Sequence, residues 1–313
     1  MVPIVTLTIN PALDVTVSVE EVVSGPKLRC GPPRLDPGGG GINVSRVLHR
    51  LGVPTVALYA IGGLTGGRLR ALVDQEGFVH RPIALSGETR ESFTAHERST
   101  GRQYRFVLPG PELSTNEWEG LLETTIELAE KADLVVASGS LPPGVPDDFY
   151  ARLADALDAG GVRLILDSSG PGLAATLARA HVYLVKPNIN EIVELAGDEL
   201  VWPEKQADWA SGLIAQGRSD IVLVTHGADG ALVVTGDRRV RIKPPAIQIQ
   251  SAVGAGDSFT GGLCAGLVRG ESVIEASTLG MAAAAATLLT PGTELCYPQD
   301  VERLRPQIEI LDI

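Results

Sequence analysis

Residues 251–267, SAVGAGDSFTGGLCAGL, set one carboxylate, Asp257, directly behind a Gly254-Ala255-Gly256 turn and at the head of an apolar segment rich in glycine. Gly254 and Gly256 let the turn adopt backbone angles closed to other residues, so that its N–H groups converge on one spot. A helix beginning there adds free N–H donors and the positive end of its dipole, together a site for an anion such as phosphate. Asp257 would sit beside that anion, where the helix end is expected to hold its pKa low. Asp is also a good helix N-cap, and that role alone would explain the carboxylate. It does not explain Gly261, Gly262 and Gly266, which each cost roughly 0.8–1 kcal/mol against Ala inside a helix. Glycines so spaced imply another backbone, or a ligand, close to the helix.

Two further segments carry polar groups at useful spacing. DPGGGGINVSRVLHRLG (36–52) runs four glycines, among them Gly39 and Gly40, into a helix with Asn43 in its first turn. Such a run fits backbone approaching backbone or a polyhydroxylated small molecule, with a purely flexible turn as the alternative. LVKPNINEIVELAG (184–197) places Asn188 and Glu191 three apart at a strand-to-helix junction. They could face one cation, such as magnesium carried with a nucleotide; a capping box with Asn188 as N-cap and Glu191 at N3 is equally good local chemistry. There is no G-x-x-x-x-G-K-[ST], no H-E-x-x-H and no G-x-S-x-G, and the five histidines have no metal spacing.

The elements that must hold these residues alternate between short β-branched runs and segments of helical period, which argues for βαβ units and a parallel sheet covered on both faces. Strands are expected at 4–9, 55–60, 133–138, 162–168, 182–186, 220–225 and 231–235, and a helix over 147–161. Ligands of open parallel sheets bind beyond the carboxyl ends of the strands. Asn10 and Asp14, Gly139 and Ser140, Asp167, Lys186 and Asn188, and Thr225 and Gly227 all fall at such ends. TRESFTAHERSTGRQYRFVLPG (89–110) breaks the pattern and reads as a hairpin, with Phe93, Ala95, Tyr104, Phe106 and Leu108 on alternate positions. With the extended stretch 15–36 it is expected to form a small projecting sheet, a lid, whose apolar face pairs with a second copy in a homodimer; the alternative is that it packs on its own domain.

Composition narrows the partners. The chain has 313 residues, 44% hydrophobic, and a net charge of −12, so no basic field attracts nucleic acid or an anionic membrane. An anionic ligand needs a locally positive pocket. Cys30, Cys264 and Cys296 suggest neither disulfides nor zinc, no apolar run is long enough to span a membrane, and the N-terminal segment lacks the basic region of a signal peptide. A cytoplasmic location is expected.

GGGGINVSR (38–46), VKPNINE (185–191) and SAVGAGDSF (251–259) resemble the signature segments of the PfkB family of ribokinase-like carbohydrate kinases, and the resemblance spans nearly the whole chain. KLRC (27–30), GRQYRFVLPG (101–110) and SGSLPPGV (138–145) are similar to its minor-type 6-phosphofructokinase branch. The resemblance implies one ribokinase-like, doubly wound α/β domain over 1–313, with a discontinuous β lid from about 15–36 and 89–109 that forms the dimer interface. It implies transfer from Mg-ATP to a sugar hydroxyl. Gly254, Ala255 and Gly256 would be the anion hole and Asp257 the catalytic base. Lys186, Asn188 and Glu191 would serve the nucleotide phosphates and Mg2+, with Asn188 and Glu191 on the metal, while Thr225, Gly227 and Gly230 would line the ATP site. Asp14, Gly39, Gly40, Asn43 and Ser140 would hold the sugar, and Arg90 and Lys27 its phosphate.

Two positions depart from wider family patterns. Ser251-Ala252 stand where many relatives have Asp-Thr, beside the family's monovalent-cation (K+) site. Gly40 stands where 1-phosphofructokinases and tagatose-6-phosphate kinases carry lysine, which favours fructose 6-phosphate as acceptor. The competing readings are a kinase for fructose 1-phosphate or tagatose 6-phosphate, and a silent sugar-phosphate sensor in which Asp257 is only a cap.

Overall fold

The computed structural model describes residues 3–197 and 203–313. In chain order the elements are β1 (Ile4–Thr8), β2 (Ala12–Val19), β3 (Arg34–Gly38), α1 (Gly40–Arg50), β4 (Thr55–Ile61), α2 (Gly63–Glu76), β5 (Val79–Ala84), β6 (Arg90–Glu97), β7 (Gln103–Val107) and α3 (Thr115–Ala129). There follow β8 (Leu134–Ser138), α4 (Phe149–Ala159), β9 (Arg163–Asp167), α5 (Gly170–Arg179), β10 (Val182–Val185), α6 (Ile189–Ala196), α7 (Pro203–Ala215) and β11 (Ser219–Thr225). The last are β12 (Ala231–Val234), β13 (Arg239–Lys243), α8 (Ala255–Val268), α9 (Val273–Leu288), α10 (Pro298–Leu304) and β14 (Glu309–Asp312).

Among the described residues a ten-stranded sheet has the order β14-β13-β12-β11-β10-β9-β8-β1-β4-β5. It is parallel from β11 to β5, and β12, β13 and β14 are antiparallel. Central strands such as IVTLT and LVVAS are buried along their whole length, because helices cover both faces and leave two apolar cores, one on each side. The chain steps from β1 outward to β4 and β5, then returns to place β8 on the other side of β1. That reversal opens a crevice at the carboxyl ends of β1 and β8, where doubly wound sheets bind ligands.

Helix α1 is pinned over that crevice by hydroxyls. Thr8 Oγ1 accepts the Ile42 N–H at 3.0 Å, and Ser45 Oγ links Thr6 and Thr55 at 2.8 and 3.0 Å. The glycines of α8 receive a packing reason: a Cβ on Gly262 would meet the Leu279 carbonyl at 2.7 Å, and one on Gly266 the Cα of Ala276 at 2.7 Å. Another backbone, α9, is what comes close. No helix among the described residues is long and apolar enough to cross a membrane.

The second sheet is the lid, with order β3-β2-β6-β7. It is built from two separate segments, 12–38 and 90–107, and its strands reach to Ala12 and Gly38 at their site ends. Alternation divides its faces. Val15, Leu35, Phe93 and Phe106 are aligned across the four strands on one face, while Asp14, Asp36, Ser92 and Val107 align on the other. Leu35, Phe93 and Phe106 remain 38%, 37% and 57% exposed, whereas Val17, Val19 and Ala95 farther along the same face are buried with Val22 and Tyr104 packed against them, so only part of the apolar face is uncovered in the single chain. Arg34 fastens the lid to the main body, bonding Asp36 at 2.7 Å and Thr293 Oγ1 at 2.8 Å.

Candidate active site

Asp257 lies in the first turn of α8, whose N-cap, Gly254, has φ 78°. The N–H groups of Ala255, Gly256 and Asp257 belong to that turn and have no acceptor within the helix; among the described residues none bonds elsewhere in the protein. Gly256 is exposed and Ala255 and Asp257 are half-buried, so the turn is open to solvent. Lys186, buried at the end of β10, brings its ammonium to the same place: a Cβ on Gly256 would lie 3.8 Å from its Nζ. Free amides and a buried cation together make the positive pocket that an acidic protein needs for an anionic ligand.

Three carboxylates surround that pocket. Asp167, at the end of β9, is held by Lys186 Nζ at 3.0 Å and Thr260 Oγ1 at 3.1 Å. Asp257 accepts a hydrogen bond from Asn43 Nδ2 at 2.8 Å. Asp14, on the polar face of the lid, sits against Gly38, where a Cβ would meet its Oδ2 at 2.5 Å. Enclosure by protein, reinforced by Asp167, raises the pKa of Asp257 to about 7, although the side chain keeps an opening to the cleft. This corrects the expectation that the helix terminus would hold it low: desolvation and a neighbouring carboxylate outweigh the dipole and the Asn43 bond. Burial likewise raises Asp14 to about 6, opposed first by Arg105.

The four glycines ahead of α1 have separate jobs. Gly38 makes room for Asp14, and Gly39 has φ 127°. A Cβ on Gly40 would collide with Ser138 Oγ and fall 3.2 Å from Asp257 Oδ1. One on Gly41 would fall 2.7 Å from the Leu7 carbonyl. Asn43, Gly40, Asp14 and Asp257 are therefore one cluster, as the sequence suggested. Ser140 lies one step farther along, half-buried beside Gly139.

Arg90 also reaches the site but is already engaged. Its Nη1 donates to the Leu108 carbonyl at 3.1 Å and its Nη2 to the Asn10 carbonyl at 2.9 Å. Its Nε is buried with no partner, and each terminal nitrogen keeps a second N–H. Lys27 is not brought to this cluster. It is exposed in the loop that leaves β2 at Val19, about 16 Å of strand beyond Asp14, and makes no hydrogen bond or ion pair among the described residues.

Toward β11 the polar ends continue. Thr225 and Asn188 form a bridge between their strand ends, and the Thr225 N–H donates to the Pro187 carbonyl at 3.1 Å. Gly227 is exposed with nothing near its Cβ direction, whereas Gly230, at φ 96°, passes against the Ile242 carbonyl. Asn188 and Glu191 form the capping box: Asn188 Oδ1 accepts from the Asn190 and Glu191 N–H groups, and Glu191 Oε2 accepts from the Asn188 N–H at 2.8 Å. The Asn188 oxygen is thus spent on the helix, and Glu191 retains Oε1. Its pKa is raised by burial.

Sequence reasoning placed Asp167 at the ligand-binding edge without a role, and did not assign Ser138, Arg105 or the Arg46–Glu76 pair to the site. Asp167 and Ser138 end adjacent strands, which was the available signal; Arg105 needed the lid register, and Arg46–Glu76 the packing of α1 on α2.

A switch-point crevice with converging amides, a buried lysine and a tuned carboxylate has the form of a phosphoryl-transfer site. The family model for pfkB family carbohydrate kinases matches residues 2–300. The chain is 47% identical over 300 residues to the ATP-dependent 6-phosphofructokinase isozyme 2 of Mycobacterium tuberculosis, covering 96% of this chain and 88% of that relative. It is 38% identical over 304 residues to the Escherichia coli protein of the same name, covering 97% and 98%. The structure of Escherichia coli phosphofructokinase-2 in complex with potassium matches with a TM-score of 0.93 at 37% identity, covering 98% of this chain and 99% of that one. The chain belongs to the PfkB family of carbohydrate kinases.

Proposed function

We propose that this protein transfers the γ-phosphoryl group of ATP to the C1 hydroxyl of fructose 6-phosphate. The observation that carries the reading is the juxtaposition of Asp257 with the unpartnered amides of Ala255 and Gly256 beside Lys186. In the step, the C1 oxygen forms a bond to the γ-phosphorus as the bond to the β,γ-bridging oxygen breaks; the hydroxyl proton passes to Asp257 and ADP leaves. The transition state of such transfers is loose, so positioning and charge neutralisation contribute more than base strength. A carboxylate near pKa 7 is well matched to accept the proton at neutral pH.

In this reading Asp14, Gly39, Gly40, Asn43 and Ser140 hold the sugar, and Arg90, through its spare N–H groups, holds the sugar phosphate with Arg105 nearby on the lid. Lys186 and the amides take the ATP phosphates, while Asn188, Thr225, Gly227 and Gly230 shape the nucleotide side. Magnesium commonly keeps several waters and takes one or two carboxylates with substrate phosphates, so Glu191, with Oε1 unspent, fits an ion that arrives with the nucleotide. Bound there, the metal would neutralise phosphate charge. Potassium has a poorer donor set: Ser251 Oγ donates to the Gly292 carbonyl at 2.6 Å, so two oxygens beside the turn hold each other. The uncovered lid face makes a homodimer the reading for assembly. A relative from Escherichia coli has been solved in a tetrameric inhibited form, in keeping with self-association. The net charge and the absence of a spanning helix among the described residues favour a cytoplasmic enzyme.

An ADP-release assay across fructose 6-phosphate, fructose 1-phosphate and tagatose 6-phosphate, with the product identified by NMR, tests the proposal. Fructose 1,6-bisphosphate formed fastest from fructose 6-phosphate is expected. ATP binding without turnover on any sugar would overturn it.

A further inference from the structure

Helix α1 carries Asn43 and Arg46 three residues apart, on the same face. Arg46 is 4% exposed although it bears a permanent charge, and its Nε donates to Glu76 Oε1 of α2 at 2.6 Å. Its Nη1 donates to Asn43 Oδ1 at 3.1 Å. A guanidinium has five donors and no acceptor, so only the amide oxygen of Asn43 can face it. The amide nitrogen is left for Asp257 Oδ2, to which it donates at 2.8 Å. Three hydrogen bonds thus run from α2 through α1 to the carboxylate on α8, and each fixes the polarity of the next.

We propose that Arg46, held by Glu76, is a positioning residue for phosphoryl transfer, locking the Asn43 amide so that its N–H donates to Asp257. The inference rests on the kinase reading above. A bond donated to the ionised carboxylate favours the form that accepts a proton. It also occupies Oδ2 and leaves Oδ1, on the Gly40 side, for the sugar hydroxyl. Without Arg46 nothing fixes the amide, and its turned form sets an oxygen against the carboxylate. Asp257 also faces Asp167, Lys186 and Asp14, and Arg46 acts on Asp14 through charge, as Arg105 and Arg90 do. A purely electrostatic role would pass through those groups and not through Asn43.

A double-mutant cycle on kcat separates the two roles. Arg46→Met is expected to lower kcat about thirtyfold, leave KM for both substrates within about threefold, and move the acid limb of kcat to higher pH. In an Asn43→Ala background the same substitution is expected to change kcat by less than about threefold. Where melting curves show that Arg46→Met has not folded, Glu76→Gln takes its place in the cycle, with an expected loss of about threefold that Asn43→Ala abolishes. Equal losses in both backgrounds, or an unmoved kcat and acid limb, would overturn the positioning role. No transfer by the unaltered chain to any phosphosugar would overturn the kinase reading instead.

Discussion

The two sheets use the same alternation of residues to opposite ends. The ten-stranded sheet buries both faces, and its strand ends fix Ser138, Asp167 and Lys186 in densely packed protein. The lid buries little: its polar face holds Asp14 and Arg105 near the crevice, and its apolar face is open around Leu35, Phe93 and Phe106. A rigid parallel sheet can hold a carboxylate in a desolvated place and keep it there, which suits the chemical step. A thin sheet fastened at few points suits substrate capture and pairing. Damage to the main body should therefore strike kcat, and damage to the lid should strike KM and assembly.

The largest effect expected is at Asp257. Asp257→Asn should lower kcat by about three orders of magnitude and leave KM for fructose 6-phosphate nearly unchanged, measured by ADP release. The same substitution should raise stability at alkaline pH. Because the folded pKa is raised, the ionised carboxylate costs stability that is intact below about pH 4 and lost as pH rises through about 7. Melting of the Asn variant should exceed that of the natural chain at pH 8 by about 2 kcal/mol, and the gap should close toward pH 4. A variant both active and no more stable would erase the distinction between the sheets.

Arg90→Ala, at the root of the lid, should raise KM for the phosphosugar about thirtyfold with a smaller change in kcat, as expected when a charge-assisted hydrogen bond is removed from substrate binding. An unchanged KM would confine Arg90 to its two carbonyl partners. Gly40→Ala, on the main-body side, should lower kcat about tenfold, since its Cβ must displace Ser138 Oγ and crowd Asp257. The smallest effect on the fold is expected from Phe106→Asp. It should halve the mass seen by light scattering and leave the melting temperature within the range of about 0.5 kcal/mol typical of surface changes. An unchanged mass would show that the lid face is not the pairing surface.

The main body was legible in the sequence because fully buried parallel strands are continuous apolar runs; all seven expected strands are present within a residue or two of their bounds. The lid was legible through alternation at Phe93, Ala95, Tyr104 and Phe106. The edge strands β5 and β14 and the penultimate strand β13 were missed, since VHRPIA, RVRIK and EILD carry charges, and in β5 a proline, that mask a strand pattern. At the site, Asp257, Asn43, Gly40 and Asp14 were readable from glycine spacing and the family resemblance. The tuning of Asp257 was not, because its sign depends on enclosure and on Asp167, 90 residues earlier in the chain. Arg46 and Glu76 lie 30 residues apart, and only the packing of two helices reveals them as a pair.

The most direct test of the account is the pH dependence of kcat/KM for fructose 6-phosphate, which reports the groups of the free enzyme. The raised values of Asp257, about 7, and Asp14, about 6, predict activity that falls as pH drops through 7 and falls more steeply below 6. Activity that stays level down to pH 5 would contradict a buried carboxylate taking the proton.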